Sequence, residues 1–287
     1  MSHYVAIIIA AGLSSRMDEF KPLIDIVGTP ALIRLLESIK ASGLKRAVVV
    51  TGHKHSLIDE ALANRFSSSD PNSSAAASSS FASASGGYAD ISADCSSASY
   101  SDVSNDIPAD CSYSSAPGVS QDAGNVPFCL DTVYNADYES GMFSSVKAGI
   151  RCITENQRAN CGGEKTSFDS SEEEGALCAA LLFPVDVPLV SAGTIRGLIA
   201  AYEAGDPSRF AVPVYKEKNG HPLLIPREYF SEIIAFTGEG GLKEIRNKRL
   251  AEMLRYEVSD AGCVLDMDTP GDYKKLLAYE KGEDYGG

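Results

Sequence analysis

Hydrophobic and polar positions along the chain follow two periods that alternate. Short apolar, β-rich runs predict buried strands, and apolar residues at three- and four-residue spacing predict helices between them. Tyr4–Ile9 is apolar throughout, as expected of a parallel strand that is covered on both faces. Pro30–Ser42 instead has its apolar residues on one helix face, at Ala31, Leu32, Leu35, Leu36 and Ile39. Strands that alternate with helices predict βαβ units and an α/β fold with a parallel sheet.

The same pattern predicts further elements over most of the remaining chain. Strands are predicted at Ala47–Val50, Phe128–Val133, Ala176–Pro184 and Met253–Val258. Helices are predicted at Ser56–Ala63, Ser140–Cys152, Ser191–Ala204, Arg227–Phe236, Gly241–Leu250 and Thr269–Lys281. Phe210–Tyr215 and Pro222–Ile225 are predicted to pair as a hairpin around the polar turn KEKNG.

Two polar stretches interrupt the pattern. Ser67–Val126 is about one-third serine and contains seven Asp but no Lys, Arg or Glu. Such a composition buries too little apolar surface to offset its ordering entropy, so we predict a disordered acidic insertion. Glu155–Gly175 is a second polar, acidic loop. We therefore predict a single folded domain, formed by residues 1–66 and 127–287 and interrupted by residues 67–126.

Composition and charge narrow the class of protein. The formal net charge is -14, and the insertion's seven Asp account for half of it. The folded part is thus only mildly acidic and can hold an anionic ligand locally, although we expect no nucleic-acid partner. The apolar runs fall far short of the roughly 20 residues that span a bilayer, and no basic segment precedes the first one. We expect a soluble, cytoplasmic protein without a membrane partner.

The seven cysteines are odd in number and scattered, and no two form a C-x-x-C pair. This spacing argues against a disulfide framework and against a thiolate zinc site. We expect reduced thiols without a metal.

The first candidate motif is AAGLSSRMDEFK, Ala10 to Lys21, directly after the first strand. A Gly-Ser-rich turn after a buried strand leaves backbone N–H groups free for phosphate oxygens, and Gly12 permits close approach. Arg16 and Lys21 supply the positive charge that a triphosphate needs. The stretch has neither the ending of a P-loop nor the third glycine of a dinucleotide fingerprint. An ordinary β-α turn with two solvated cations is the alternative.

Two acidic motifs follow later in the chain. Asp186 in FPVDVPLV comes at the carboxyl end of a buried strand, where a hard oxygen ligand suits Mg²⁺. In VLDMDTPGD, Asp266 and Asp268 alternate with apolar residues, so that on a strand both carboxylates point to one face. A helix cap or turn aspartate is the alternative in both motifs.

Three further segments carry weaker signals. NADYESGMFSSV, Asn135 to Val146, is a polar loop that enters a helix and offers hydroxyls and a helix N-terminus to a nucleotide; a capped helix start without a ligand is the alternative. His221 in Gly-His-Pro can reach a substrate phosphate or serve only as a turn residue. His53 and His55, after Thr51-Gly52, are a weak candidate for a metal pair.

Taken in order, these motifs resemble the MobA-like NTP transferase family, and specifically its molybdenum cofactor cytidylyltransferase branch. The matching motifs are AAG-x-S-x-R-M with a following Lys, the Asn-to-Ser loop, P-x-D-x-P, GHP and D-x-D-T-P. The resemblance spans nearly all of the chain except the two polar stretches. It implies a three-layer, doubly wound, mostly parallel mixed sheet of the nucleotide-diphospho-sugar transferase type, with the site at the strand ends.

The resemblance also implies an enzyme that transfers CMP from CTP to the terminal phosphate of molybdopterin and releases pyrophosphate. Arg16 and Lys21 would be the catalytic cations. Nucleotide-binding residues would be Ala10, Ala11, Gly12, Leu13, Ser14, Arg16, Lys21, Thr51, Gly52, Ser144 and Ser145. Substrate-binding residues would be Asn135, Gly141, Met142 and His221. Asp186 and Asp268, with Asp266 as an additional candidate, would hold Mg²⁺, for which Mn²⁺ can substitute.

Some features leave alternatives open. The loop has Ala-Ala-Gly, as in the cytidylyl branch, where guanylyltransferases of the family usually have Ala-Gly-Gly, and the Ala11 methyl is expected to exclude a purine. Asp18 replaces the usual Gly, and Glu239 lies where the family has Asp. A nucleotidyltransferase that uses GTP or a sugar phosphate is one alternative. A non-catalytic module that delivers cofactor to a molybdenum hydroxylase apoenzyme is the other.

Overall fold

A mixed sheet with helices on both faces forms the part of the chain that the computed structural model describes, residues 3–12, 19–66, 128–155, 177–249 and 252–284. The strands of this part are β1 (Tyr4–Ile9), β2 (Asp25–Ile26), β3 (Thr29–Pro30), β4 (Arg46–Thr51), β5 (Cys129–Tyr134), β6 (Ala179–Pro184), β7 (Ala211–Tyr215), β8 (Lys218–Asn219), β9 (Leu223–Pro226) and β10 (Leu254–Glu257). Of these, β2 and β3 form a separate two-stranded antiparallel sheet. The α-helices are α1 (Ala31–Ala41), α2 (His55–Phe66), α3 (Met142–Glu155), α4 (Ala192–Ala204), α5 (Phe230–Ala235), α6 (Gly241–Asn247) and α7 (Pro270–Glu280). Short 3₁₀ turns occur at Lys21–Leu23, Tyr138–Ser140, Arg227–Tyr229 and Ala261–Cys263.

The sheet has the strand order β10-β7-β9-β6-β1-β4-β5, with β8 paired to β7. Its centre is parallel: β1 pairs with β4 and with β6, and β4 pairs with β5. Ile7 lies opposite Val48 on one side and Leu182 on the other. The carboxyl ends of these four strands therefore lie at one edge. Antiparallel β9 joins this centre to β7, which is parallel to β10.

Two apolar layers cover the sheet because alternate strand residues point to opposite faces. One face of β1, with Ala6 and Ile8, packs under α1, α2 and α4. The other, with Val5 and Ile7, packs under α3, α5 and α6. Gly149 lets α3 lie close to the sheet, because a Cβ there would be 2.5 Å from Ile7 Cγ2. The predicted three-layer, doubly wound fold is confirmed.

The predicted hairpin is only partly right. β7 pairs at once with the short β8, and Lys216 and Glu217, with φ of 46° and 68°, make the turn between them. The next segment, Leu223–Pro226, meets β7 at one position and pairs mainly with β6. All four side chains of this segment are apolar and buried. An interior strand buries such side chains more completely than an edge strand does.

A small third cluster was not predicted. The β2–β3 hairpin packs with α7, where Ile26 and Met267 are fully buried, and Tyr273 Oη donates to the Asp25 carbonyl at 2.5 Å. Thr269 caps α7 by accepting from the Asp272 N–H, and Pro270 occupies the first turn as expected. This cluster fixes the segment that carries the Asp266–Asp268 motif.

The predicted insertion, residues 67–126, lies outside the described residues, so its disorder stays a prediction. The cysteines that are described are Cys129, Cys152, Cys178 and Cys263, and no two of these four form a disulfide with each other. No helix in the described ranges has a stretch that is both long and apolar enough to cross a membrane.

Candidate active site at the carboxyl ends of the parallel strands

Residues that follow the four parallel strands are joined by backbone hydrogen bonds. After β1, the Ala10 N–H donates to the Val50 carbonyl of β4 at 2.9 Å. After β5, the Asn135 N–H donates to the Thr51 carbonyl at 2.8 Å. The predicted site residues on separate motifs thus meet at one sheet edge, which is where ligands bind in open α/β sheets.

The predicted phosphate-binding loop begins with buried residues. Ala10 and Ala11 are 0% and 2% exposed, and the Thr51 hydroxyl donates to the Val133 carbonyl at 3.4 Å. Gly12 is exposed, and a Cβ there would meet nothing within 4 Å. Within this group, Gly12 therefore presents its backbone to solvent, while the others hold the strand ends together. The predicted residues Leu13, Ser14 and Arg16, and also Asp18, lie outside the described residues.

Lys21 lies between the two predicted metal carboxylates. Its Nζ is 2.6 Å from Asp268 Oδ1 and 4.0 Å from Asp186 Oδ2. The lysine side chain is only 13% exposed, against 30% for Asp186 and 35% for Asp268. The structure thus brings together three residues that are far apart in sequence, and one cation contacts both carboxylates. Both carboxylates offer the hard oxygen ligands that a divalent cation such as Mg²⁺ prefers.

Burial and neighbouring charge act together on Asp186. Removal from water raises the pKa of its carboxyl group above the ordinary value, and the carboxylates of Asp268 and Asp266 raise it further. The Lys21 ammonium partly opposes this rise. A carboxylate in such surroundings gains from any additional positive charge, because its ionised form is the disfavoured one.

The geometry of the Asp266–Asp268 segment corrects the prediction of a strand. The segment is irregular and runs between the Ala261–Cys263 turn and α7. The Met267 side chain is fully buried, whereas Asp266 is exposed and Asp268 half-buried. Insertion of one apolar side chain into the core turns its two neighbours outward, so alternation here does not require a strand. The Met267 N–H also donates to the Asp186 carbonyl at 3.0 Å.

The Asn135 amide organises the loop that leads into α3. Its Nδ2 donates to the hydroxyls of Ser144 at 2.8 Å and Ser145 at 3.0 Å, and its Oδ1 accepts from the Asp137 N–H. Gly141, with φ of 100°, provides the turn before the helix. Asn135 and Ser145 are buried, whereas Ser144 is half-buried. The predicted binding residues of this loop are therefore preorganised by one amide.

Gly52, Ala11 and Tyr138 pack against one another. A Cβ on Gly52 would be 2.7 Å from Tyr138 Cβ and 2.9 Å from Ala11 Cβ, closer than side chains approach. The Ala11 methyl therefore contacts protein and does not line an open slot. Met142, also predicted to contact substrate, is 60% exposed.

The histidine pair after β4 does not form a metal site. The His53 ring packs near Phe20 and Tyr138, at 6.2 Å and 6.4 Å between centroids. The His55 ring instead packs against Tyr134 at 4.8 Å. Across the described ranges, no three His, Cys, Asp or Glu residues have the arrangement of a metal site. A metal at the strand ends would thus have two carboxylates and need further ligands from substrate and water.

His221 lies next to the turn that precedes the Asp266–Asp268 segment. Its backbone N–H donates to the Cys263 carbonyl at 2.8 Å. Its Nδ1 is buried and has no hydrogen-bond partner among the described residues. Burial, reinforced by the positive charge of Arg246, lowers the pKa of His221 to about 4, so its ring is neutral at pH 7. A neutral histidine can accept or donate one hydrogen bond but offers no charge to a phosphate.

A cleft of about 410 Å³ opens beside the Asn135 loop. Its walls include Asn135, Ser144, Lys147, Arg151 and Phe236. Lys147 is held across the cleft, since its Nζ lies over the Phe143 ring and donates to the Phe236 carbonyl. The cleft combines two cations with an aromatic wall next to the strand ends.

Comparison with models of known protein families shows the family of the chain. The model of the MobA-like NTP transferase domain matches residues 6–94 and 117–253, which is more than half of the chain. The chain belongs to the MobA-like NTP transferase family. It is therefore a nucleotidyltransferase, and the suspected family is confirmed. No curated protein matches the chain significantly.

Solved structures share this MobA-like fold at low sequence identity. A nucleotidyl transferase from Methanothermobacter thermautotrophicus has 15% identity and a TM-score of 0.58, with 96% of each chain covered. Rv0371c from Mycobacterium tuberculosis H37Rv has 18% identity and a TM-score of 0.55, covering 96% of this chain and 97% of its own. Its manganese complex has 16% identity and a TM-score of 0.50, with 96% and 98% covered. At these identities the likeness shows the fold alone.

Two residues of this MobA-like site escaped the sequence reasoning. Tyr138 lies over Gly52, and its place in the NADYESGM loop was the available signal. Met267 holds the acidic segment next to Asp186 through its backbone N–H. In the sequence, an apolar residue between two aspartates predicts the alternation of a strand, not a buried anchor. The first contact joins motifs that are 86 residues apart in sequence, so no local pattern reveals it.

Proposed function

We propose that this nucleotidyltransferase transfers CMP from CTP to the terminal phosphate of a molybdopterin-type cofactor. An oxygen of the acceptor phosphate forms a bond to the α-phosphorus, and the bond from that phosphorus to the β-bridging oxygen breaks, so that pyrophosphate leaves. The observation that carries the proposal is the contact of Lys21 with Asp186 and Asp268 at the strand ends. A triphosphate and its metal need this combination of one cation and two carboxylates.

The two carboxylates fit a divalent metal, because both already face one cation and both supply hard oxygens. We propose that Asp186 and Asp268 hold Mg²⁺; Asp266, the additional candidate, does not complete a group of three ligands with them among the described residues. A bound Mg²⁺ would neutralise charge that develops on the phosphoryl oxygens. The manganese in a structure of Rv0371c supports Mn²⁺ as a substitute.

The chain's own groups position the reactants. Arg16 and Lys21 are proposed to hold the triphosphate, while Gly12 exposes backbone for close approach of a phosphate. The half-buried Ser144 hydroxyl, fixed by Asn135, is proposed to orient the nucleotide. The attacking group is already an anionic phosphate oxygen, so no protein nucleophile or general base is needed. Catalysis then consists of positioning and charge neutralisation.

The cleft beside α3 supports a bulky anionic acceptor. Lys147 and Arg151 supply positive charge, and Phe143 and Phe236, which pack edge to face at 5.9 Å, make part of the wall apolar. Phosphate and pterin groups of a molybdopterin-type cofactor match these two properties. A molybdenum hydroxylase apoenzyme is the partner that would receive the product.

Cytidine is proposed over guanine because the loop reads Ala-Ala-Gly. The Ala11 methyl packs with Gly52 and Tyr138, so it would restrict the base by holding the tyrosine ring in place. The Ala11 methyl would thus act on the base indirectly, through Tyr138. An enzyme that uses GTP is therefore the alternative to be tested.

Pyrophosphate release from purified protein tests the proposal. We expect release with CTP, Mg²⁺ and molybdopterin together, and much less with GTP or without molybdopterin. Equal or faster release with GTP would overturn the choice of base. Release with a sugar phosphate but not with molybdopterin would overturn the acceptor. Binding of CTP without any release would favour the non-catalytic delivery module.

A further inference from the structure

The backbone that carries the two carboxylates is held in place independently of Lys21. The Met267 N–H bonds to the Asp186 carbonyl at 3.0 Å, and Met267 itself is fully buried. Asp268 is followed by Thr269, which caps α7. The distance between the carboxylates is thus set by packing and main-chain bonds, and a change at Lys21 leaves two negative charges facing each other.

Lys21 combines a fixed backbone with a long side chain that is 13% exposed. It begins the 3₁₀ turn Lys21–Leu23, in which Pro22 is buried and Ile24 N–H returns to the Lys21 carbonyl at 3.3 Å. The four-carbon side chain can change its torsions without moving this turn. The turn itself follows the loop proposed to hold the triphosphate. One ammonium group therefore has two alternative anions within reach of its side chain.

A divalent cation at this site and the Lys21 ammonium would be held by the same two carboxylate groups. The contact of 2.6 Å to Asp268 Oδ1 is a direct ion pair, and a metal bound to that oxygen would bring a second positive charge to the same place. Like charges at such a distance repel strongly in a half-buried site. Metal and ammonium are therefore competitors for Asp268, and Asp186 is shared between them.

We propose that Lys21 is an exchangeable counter-ion, which holds Asp186 and Asp268 until a triphosphate draws its ammonium away and leaves both carboxylates to the divalent cation. The inference rests on the proposed function for the identity of the anion and of the metal. It makes binding of metal and of nucleotide mutually dependent: metal alone binds weakly, and each ligand strengthens the other by the same factor. A metal ion without substrate is then poorly retained.

Titration with Mn²⁺, followed by electron paramagnetic resonance, tests this inference on the full chain. Three proteins are compared: the unaltered chain, Lys21→Met and the control Lys275→Met, whose exposed lysine pairs with the half-buried Asp272 on α7. Each is titrated alone and with α,β-methylene-CTP, which cannot release pyrophosphate. We expect the nucleotide analogue to tighten Mn²⁺ binding about tenfold or more in the unaltered chain and in the control. Lys21→Met should bind Mn²⁺ alone about tenfold more tightly and lose most of that coupling.

Weaker or unchanged Mn²⁺ binding by Lys21→Met would overturn the inference, provided that its melting temperature matches that of the control. Lys21→Gln gives a second reading if the methionine variant does not fold, and it should show the same direction. Asp268→Asn separates the two proposals. If it binds Mn²⁺ as the unaltered chain does, the proposed metal site is wrong. Tighter binding by Lys21→Met without any transfer from CTP would support the exchange and contradict the proposed reaction.

Discussion

The Met267 N–H donates a hydrogen bond of 3.0 Å to the Asp186 carbonyl and so joins the end of β6 to the segment before α7. The Met267 side chain is fully buried with Ile26 and Leu276. Its burial turns both neighbouring aspartates outward, and the charges of both carboxylates raise the pKa of the Asp186 carboxyl group, which burial already raises. Main-chain geometry and side-chain charge are separable here, which makes the site suitable for conservative substitutions.

Asp186→Asn and Asp268→Asn should each lower the rate of pyrophosphate release about 100-fold or more, because each removes a charged metal ligand but keeps the shape. The stability of Asp186→Asn, unlike its activity, should not fall. Burial raises the pKa of Asp186, so its ionised form costs folding free energy at pH 7. Asp186→Asn is therefore expected to be at least as stable as the unaltered chain in urea.

Activity and stability must be measured on the same preparations. Asp206→Asn is a suitable control, since Asp206 accepts hydrogen bonds only within its own exposed turn, from Ser208. Full activity of Asp186→Asn would remove this residue from the metal site. Loss of activity together with loss of stability would make its role structural.

Gly52→Ala should weaken nucleotide use without unfolding the protein. The new methyl would overlap Tyr138 Cβ and Ala11 Cβ, at 2.7 Å and 2.9 Å, and the tyrosine must move. We expect kcat/KM for CTP to fall about 10- to 100-fold, as a displacement of about 1 Å in a binding group can do. Steady-state kinetics with CTP and GTP measure this. Gly193→Ala is the matched control, since its Cβ would meet only Ser191 Oγ at 3.7 Å.

Asp260 should contribute more to stability than any exposed aspartate. Its Oδ2 accepts from the Ser191 N–H at 2.9 Å and the Thr194 hydroxyl at 2.6 Å. Its Oδ1 accepts from the Gly262 N–H at 2.9 Å and the Tyr279 hydroxyl at 3.2 Å. Asp260→Ala leaves these donors unpaired and should cost about 3 kcal/mol. Urea unfolding measures the loss, and Asp206→Ala is expected to cost far less; equal losses would contradict the prediction.

His221 should make stability depend on pH in the mildly acidic range. Its pKa is lowered to about 4, whereas an unfolded histidine titrates near 6.5. Between these values the unfolded chain takes up a proton that the folded chain does not, so stability falls as pH drops from about 6.5 to about 4. His221→Gln should lack this part of the loss, which amounts to about 2–3 kcal/mol.

Urea unfolding at pH 7 and pH 4.5 tests this, because only the difference between the two proteins reports on His221. The unaltered chain is expected to lose more free energy of unfolding than His221→Gln over this interval. Parallel losses would mean that the imidazole accepts its proton in the folded state.

Local patterns were enough for most of the secondary structure and for the fold. Tyr4–Ile9 occurs as predicted, and the predicted helix Pro30–Ser42 differs from α1 by one residue at each end. Periodicity is reliable for such elements because burial of one face or of both faces leaves a direct trace in the sequence. It does not predict the tight turn inside KEKNG, because Lys216 and Glu217 adopt positive φ although neither is a glycine.

The sequence by itself determined the three-layer α/β fold, the family and the motifs that come to the strand ends. Only the tertiary structure decided how those motifs act on each other: that Lys21 contacts both carboxylates, that the Ala11 methyl is buried against Gly52 and Tyr138, and that Asp266 and Asp268 flank a buried Met267 off any strand. The physical reason is the sequence separation of the residues that interact. Strands and helices follow from the spacing of apolar residues a few positions apart, whereas distances between residues 21, 186 and 268 depend on the packing of the whole sheet.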